Sequence, residues 1–408
     1  MSDIKSKMRK TFAKLDGGLF STAQKADVGD VAARMEAAGV AMMSWADPFM
    51  PDPAIPQSVM DAAIEALKTG FPAHYTMPIG SPDLKKLIAD RIERKYGFRL
   101  DPSRNIIINP GSDNGLLFAM MPWINPGAEV MVHDPSYASN FLNPELLGGV
   151  TVKVPTFPED GYHIRIEEYE KRVTDKTKMV LLTNPNNPTG VSYTREELEQ
   201  LAAFCVKHDL ICVCDQAFED TVFPENEMVC ISQLEGMWER TVTVCSVSKG
   251  MALSGFRVGW TYASDVIMDV YFACAVNIQG ATSTLAQLAV MPAFRDDSFI
   301  REYMVKYDNR RKYAYKLFNS IPGISLRMPE AGFFVWIDVS QLGDSSEITQ
   351  LLVEEARVSV NDGKFYGDMG NGHLRMIDGC FWEDADSYAA MDRMAETFRK
   401  LAHKKGLC

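Results

Sequence analysis

The chain has 408 residues, 46% hydrophobic and 24% charged, which is typical of a globular protein too long for one small core. A net charge of −12 without a long run of Lys or Arg argues against nucleic-acid binding. The basic start, 1–14, is not followed by an apolar stretch, and the longest apolar stretch, 116–124, is too short to span a membrane. We therefore expect a cytoplasmic protein of two domains, with its eight cysteines reduced.

Helical spacing of apolar residues predicts the first helix over 56–70, which Gly70 ends. Ser81, followed by a proline, predicts the N-cap of a second helix. Thr194 and Glu197 predict a capping box at the start of a later one.

Short apolar runs alternate with these helices and predict strands. They cover 106–108, 130–132, 179–182, 210–214 and 242–245. This alternation indicates a largely parallel sheet with helices on both faces. After about residue 297 the pattern changes to a long charged helix over 301–320 and a strand over 333–339, which predicts a second, smaller domain.

Polar segments follow four of the predicted strands. These segments are 109–113, 184–190, Asp215 and the pair 246–249 and 254–259. Each segment alone is compatible with an ordinary turn or helix cap. Because ligands of parallel sheets bind at the carboxyl ends of the strands, the four together favour one shared cofactor site.

The order and spacing of these segments resemble the class I and II aminotransferases of fold type I, over about residues 43 to 378. The resemblance implies an α/β fold with two domains. The larger, 48–297, would hold a mostly parallel seven-stranded sheet between helices, and 1–47 with 298–408 would form a smaller α+β domain. It also implies pyridoxal 5′-phosphate as cofactor and transfer of an amino group between an L-amino acid and a 2-oxo acid.

The resemblance assigns three catalytic residues. Lys249 would form a Schiff base with the cofactor and carry protons, while Asp215 would pair with the pyridine nitrogen. Tyr137 would stack on the ring, and Asn187 would bind the ring hydroxyl. Phe218 stands where the family commonly has a tyrosine that donates to this hydroxyl, so that donor is missing.

The phosphate would be held at a helix start with added hydroxyls and a cation. The implied residues are Gly111, Ser112, Asp113, Ser246, Ser248 and Arg257. Tyr75 resembles the tyrosine that reaches the phosphate from a neighbouring subunit, which implies a homodimer.

Arg375 matches the arginine that binds the substrate α-carboxylate, with Asn187 and Ala46 beside it. The side-chain pocket is expected from Phe20, Trp45, Phe49 and Tyr366, which are equally compatible with a place in the core. No metal site is expected, because the six histidines lack ligand spacing.

Two alternatives remain open at this point. A carbon–sulfur β-lyase of the same fold needs the same lysine, aspartate and arginine, and Trp45-Ala46-Asp47 is reminiscent of that branch. A further departure from the family pattern precedes Arg375, where the segment Val360-Asn361-Asp362-Gly363 replaces a more usual Pro-Gly turn. A catalytically silent binding module is disfavoured, because such a protein has no need of Lys249 or of the phosphate-binding residues.

Overall fold

A seven-stranded sheet forms the centre of the larger part of the molecule in the computed structural model, which describes residues 4–13, 35 and 37–407. Its strands are β2 (Ile106–Asn109), β3 (Glu129–Asp134), β4 (Val150–Pro155), β5 (Thr177–Thr183), β6 (Ile211–Asp215), β7 (Thr241–Ser246) and β8 (Gly259–Tyr262). Their spatial order is β2-β8-β7-β6-β5-β3-β4, and only β8 runs antiparallel to its neighbours. The strand residues are almost all buried, as expected for a sheet covered on both faces.

Helices cover this sheet and pack around the rest of the chain. In chain order they are α1 (Lys10–Ala13), α2 (Gln57–Thr69), α3 (Pro82–Tyr96), α4 (Ser112–Met120), α5 (Ala138–Leu147), α6 (Ile166–Glu170), α7 (Arg195–Lys207), α8 (Asp265–Ile278), α9 (Thr284–Arg295), α10 (Phe299–Phe318), α11 (Ser345–Leu351) and α12 (Asp384–Lys404). None of the helices within the described ranges is long and apolar enough to cross a membrane.

A smaller antiparallel sheet lies in the C-terminal part, with the order β12-β13-β10-β9. Its strands are β9 (Ser325–Leu326), β10 (Phe334–Asp338), β12 (Asn361–Asp362) and β13 (His373–Ile377), and a separate parallel pair joins β1 (Ala41–Met42) to β11 (Val358–Ser359). One apolar cluster packs this sheet against α10 and α12, whereas three others lie mainly between residues 59 and 294. The predicted α/β fold class is confirmed, since the mostly parallel seven-stranded sheet is accompanied by helices and by a smaller antiparallel sheet.

The five predicted strands are confirmed, each with bounds one or two residues wider or shifted by one. Thr194 and Glu197 form the predicted capping box, since the Glu197 N–H donates to Thr194 Oγ1 and the Thr194 N–H donates to Glu197 Oε2. The predicted N-cap at Ser81, with a proline in the first turn, is confirmed. Ser81 occupies the N-cap position, but its side chain makes no capping hydrogen bond, and its backbone N–H donates to Gln287 Oε1 at 2.8 Å instead.

Candidate active site

The carboxyl ends of neighbouring strands bring the predicted polar segments together. Asp215, the last residue of β6, lies opposite Thr183 of β5 and Val244 of β7. Gly259 of the antiparallel β8 lies opposite both Ser246 and Asn109. The carboxyl ends of β2, β5, β6 and β7 therefore lie at the same side of the sheet, beside a cavity of about 820 Å³.

Eleven of the predicted site residues line this cavity. They are Ala46, Ser112, Asp113, Tyr137, Asn187, Asp215, Phe218, Ser248, Lys249, Arg257 and Arg375. Gly111 and Ser246 do not line the cavity and are buried. The Ser246 hydroxyl accepts a hydrogen bond from the Ser248 N–H at 3.3 Å, so it orders the turn that leads to Lys249.

Lys249 extends from the turn after β7 into the cavity. Its Nζ donates to the Ala46 carbonyl oxygen at 2.6 Å and lies 5.9 Å from the centre of the Phe218 ring. Burial lowers the pKa of the Lys249 amine to about 8, since the charged form loses its water. A larger share of this amine is therefore neutral near pH 7 than for a lysine in solvent.

Asp215 is a buried carboxylate at the end of a central strand. Its Oδ1 accepts a hydrogen bond from the Ala217 N–H at 3.0 Å. Burial raises the pKa of this carboxyl to about 7, an effect that Asp113 increases and Lys249 opposes. The site thus holds a carboxyl whose ionised form lacks a close cationic partner among the described residues.

Two glycines allow a cation and a helix start to approach each other. A Cβ on Gly111, which has a φ of +85°, would lie 2.3 Å from Arg257 Nη2. A Cβ on Gly259 would lie 2.8 Å from the Gly111 carbonyl carbon and 3.0 Å from the Ser112 nitrogen. Only glycine fits at these two positions, and the result is a guanidinium packed against the first residues of α4. A helix start with a nearby cation is suited to an anion such as a phosphate.

Arg375 is a buried guanidinium whose hydrogen-bond partners among the described residues are all neutral oxygens. Its Nη1 donates to Asn187 Oδ1 at 3.0 Å, and its Nη2 donates to the Ser44 carbonyl at 3.0 Å and to Asn361 Oδ1 at 2.6 Å. Its Nε is buried without a partner there. A buried cation with no carboxylate beside it is suited to bind the carboxylate of a ligand.

Tyr137 lies at the N-terminal end of α5, immediately after the loop that leaves β3. Burial raises the pKa of its phenol to about 12, so this side chain is neutral at physiological pH. Phe218 faces the cavity on one side and packs edge-on against Phe334 on the other. Its ring offers no donor, as the sequence predicted.

Tyr75 lies away from this cavity and is 92% exposed, which makes it the most exposed large apolar side chain of the described part. Of the predicted pocket residues, Trp45 lines the cavity, whereas Phe49 and Tyr366 are fully buried. Phe49 packs against Tyr303 and therefore belongs to the core. Phe20 lies outside the described residues.

Two residues of the site were not predicted from the sequence. The Ser44 carbonyl and the Asn361 side chain both contact Arg375. Asn361 could have been suspected, because it is the polar residue in the segment that departs from the family pattern. A backbone carbonyl leaves no signal in the sequence.

The family model for aminotransferases of class I and II matches residues 46–377. The chain belongs to this family. Aspartate aminotransferase of Pyrococcus abyssi is 32% identical over 86% of this chain and 90% of that protein. Aromatic-amino-acid aminotransferase 2 of Thermococcus litoralis is 30% identical over 86% of this chain and 90% of its own length.

A solved structure, the aromatic aminotransferase of Pyrococcus horikoshii, has a TM-score of 0.84 and 30% identity, and covers 92% of this chain and 100% of its own. These relatives are all aminotransferases, so the chain is an aminotransferase that depends on pyridoxal 5′-phosphate, and the β-lyase alternative is set aside. The predicted family, fold class, activity and cofactor are thereby confirmed.

Proposed function

We propose that the cavity at the sheet edge is the active site, with Lys249 as the residue that binds the cofactor covalently. The observation that carries this proposal is the convergence of Lys249, Asp215 and Arg375 on one cavity from three separate parts of the chain. A nucleophilic amine, a carboxyl and a cation are the three groups that this chemistry needs from the protein.

Lys249 would act first as a nucleophile and then as a proton carrier. The lowered pKa leaves a larger share of the amine neutral near pH 7 than for a lysine in solvent, and only the neutral form attacks an aldehyde. Once the substrate replaces it, Nζ would accept the proton that leaves the substrate Cα. Phe218 and Ala46 keep Nζ in the cavity, through the ring contact and the carbonyl hydrogen bond.

Asp215 would face the cofactor's pyridine nitrogen and hold a proton there. The cofactor supplies an electron sink, and a carboxylate next to that nitrogen keeps it protonated. Tyr137 would stack on the ring and Asn187 would bind the ring hydroxyl. The Asn187 Oδ1 already accepts from Arg375, which leaves its amide N–H groups to act as the donor.

The start of α4 would bind the phosphate. Gly111 and Ser112 would present backbone N–H groups, and Arg257 would supply the cation. Ser112 and Ser248 would add hydroxyls, while Ser246 and Asp113 would flank this cup. The two tight glycine positions described above support this assignment, since Gly111 leaves room for the Arg257 guanidinium and Gly259 lets the backbone of β8 approach the helix start.

Arg375 would bind the α-carboxylate of the amino acid and of the 2-oxo acid. Both substrates share this carboxylate, so one arginine can serve both half-reactions. Ala46 would lie beside it, since the neighbouring Ser44 carbonyl contacts the guanidinium.

We further propose a homodimer in which Tyr75 reaches the neighbouring active site. In support, Tyr75 is exposed in one chain, and α2 exposes Met60, Ile64 and Leu67 on one stripe. The domain bounds 48–297 and 1–47 with 298–408 are supported by the apolar cluster around α10 and α12, which takes most of its residues from the C-terminal part. A cytoplasmic location is supported by the seven described cysteines, which are all free thiols.

The test measures the visible absorbance of the cofactor-loaded protein. Aspartate or an aromatic amino acid, added without a 2-oxo acid, should remove the visible band, and a 2-oxo acid should restore it. Lys249→Met should remove this response and the covalent attachment, whereas Lys85→Met, at another buried lysine in α3, should keep both. Accumulation of pyruvate and ammonia instead would show β-elimination, and a Lys249→Met protein with normal turnover would refute the assignment.

A further inference from the structure

Asn361 lies next to Arg375 in the smaller sheet. The two residues are paired across β12 and β13. Asn361 is 8% exposed and lines the cavity. It therefore faces both the guanidinium and the space that a substrate would fill.

The orientation of the Asn361 amide is fixed by its neighbours. Its Oδ1 accepts from Arg375 Nη2 at 2.6 Å and from the Tyr366 hydroxyl at 3.2 Å. Because a guanidinium can only donate, the oxygen must be the atom that faces it. The amide nitrogen Nδ2, with two N–H groups, then points to the other side.

Nδ2 has room to bind a ligand. Among the hydrogen bonds of the described residues, none involves Nδ2, and this atom is not one of the buried polar atoms without a partner. Nδ2 is therefore accessible, and because Asn361 lines the cavity, we take this atom to face the cavity.

We infer that Asn361 is a second carboxylate-binding residue, whose Nδ2 donates to the carboxylate that Arg375 holds. This inference rests on the proposed role of Arg375. Three of the five N–H groups of Arg375 are already engaged with Asn187, Ser44 and Asn361 itself. A carboxylate has more acceptor positions than the remaining two can fill, and Asn361 supplies a further donor at the same place.

Tyr366 is the positioning residue of this pair. Its ring lies 4.9 Å from the Arg375 guanidinium carbon, and its hydroxyl holds Asn361 Oδ1. The Trp336 ring packs nearly perpendicular to the Tyr366 ring, with 5.8 Å between ring centres. Tyr366, although buried, thus sets the direction in which the Asn361 amide faces.

The experiment measures binding of 3-phenylpropanoate to the cofactor-loaded enzyme by calorimetry. Asn361→Val should weaken this binding about tenfold or more, the effect of one hydrogen bond to a charged group. Tyr366→Phe keeps the ring and loses only the hydroxyl, so it should weaken binding severalfold. Neither variant should change the response of the cofactor absorbance to 2-phenylethylamine, which has the same ring without the carboxylate.

Different results separate this inference from the proposed function. If Arg375→Met abolishes carboxylate binding and Asn361→Val leaves it at the wild-type level, the inference is wrong and the role of Arg375 stands. If Arg375→Met binds 3-phenylpropanoate as tightly as the wild type does, the proposed carboxylate site is wrong. Equal weakening for 3-phenylpropanoate and 2-phenylethylamine would show a merely structural role for Asn361. Should Asn361→Val fail to fold, Asn361→Ala removes the same amide and adds no other donor, and wild-type binding by it would also overturn the inference.

Discussion

The proposed role of Asp215 comes with a cost to the stability of the cofactor-free protein. Its carboxyl is buried at the end of β6, and burial raises its pKa from an ordinary 3.8 to about 7. Between about pH 4 and 7 the folded protein therefore retains a proton that the unfolded chain has lost. The free energy of unfolding of the cofactor-free protein therefore falls as pH rises through this interval. Above about pH 7 the protein bears the full cost of burying the ionised carboxylate.

Asp215→Asn should therefore stabilise the cofactor-free protein more at pH 8 than at pH 5. The amide has nearly the same shape but does not ionise, so the penalty of burying a carboxylate disappears. Thermal unfolding at the two pH values, for wild type and variant, measures this difference. The same substitution should lower aminotransferase activity by at least about tenfold, since the pyridine nitrogen would lose its proposed partner.

A variant whose stability advantage is the same at pH 5 and pH 8 would contradict the assigned pKa. Asn187→Asp is a useful comparison, because it places a new carboxyl in the same cavity beside Arg375. It should lower the affinity for amino acids without the pH-dependent stabilisation.

The proposed site residues that line the cavity were predictable from the sequence where a polar or charged residue follows a predicted strand. Lys249, Asp215 and Asn187 each follow an apolar run, and the carboxyl ends of parallel strands converge. Phe49 could not be assigned from the sequence, because an aromatic residue at that position is compatible with a pocket or with the core. In the structure it packs against Tyr303 and belongs to the core. Asn361 needed the pairing of β12 with β13, which no local pattern reveals.

The elements behind the active site are joined by buried charges. Arg91 of α3 is 4% exposed, and its Nη2 lies 2.7 Å from Asp220 Oδ1. Lys95, one turn later, lies 2.6 Å from the same oxygen. A Cβ on Gly250 would lie 2.2 Å from Asp220 Cβ, so Asp220 also abuts the residue after Lys249. Helix α3 thus fixes the turns that follow β6 and β7.

Arg91→Met should lower the free energy of unfolding by about 3 to 5 kcal/mol, because it leaves buried carboxylates without their main partner. Arg94→Met removes a cation from the same helix at a side chain that is 54% exposed and should cost less than about 1 kcal/mol. Urea unfolding of the cofactor-free proteins compares the two. Similar losses for both variants would show that the charges do not hold these turns.

Strand positions were easier to predict than strand partners. Runs such as 179–182 are apolar because both faces of the sheet are covered, so their existence was evident. β4 was missed because its first four residues are exposed or half-buried at the sheet edge, and its sequence is correspondingly mixed. β8 is short and runs antiparallel, and its Gly259 is required by contact with Gly111 rather than by strand propensity.

At the scale of the whole molecule, the apolar stripe of α2 is unusual for an isolated chain. Met60, Ile64 and Leu67 recur at helical spacing and remain exposed, although the buried face of the same helix packs Val59 and Ala66. Phe71 and Tyr75 extend this surface beyond the helix. A second copy of the chain would cover both the stripe and Tyr75, as the proposed homodimer requires.

Ile64→Glu should convert the proposed dimer to a monomer, because a carboxylate in the centre of the stripe would have to lose its water on association. Light scattering after size-exclusion chromatography gives the mass directly. The cofactor should also bind more weakly to the variant, since Tyr75 would no longer reach the neighbouring phosphate. Val206→Glu changes a similarly exposed apolar side chain on α7 and should leave both the mass and the cofactor affinity unchanged. A dimer that persists in Ile64→Glu with normal cofactor binding would place the subunit interface elsewhere and remove the support for the role of Tyr75.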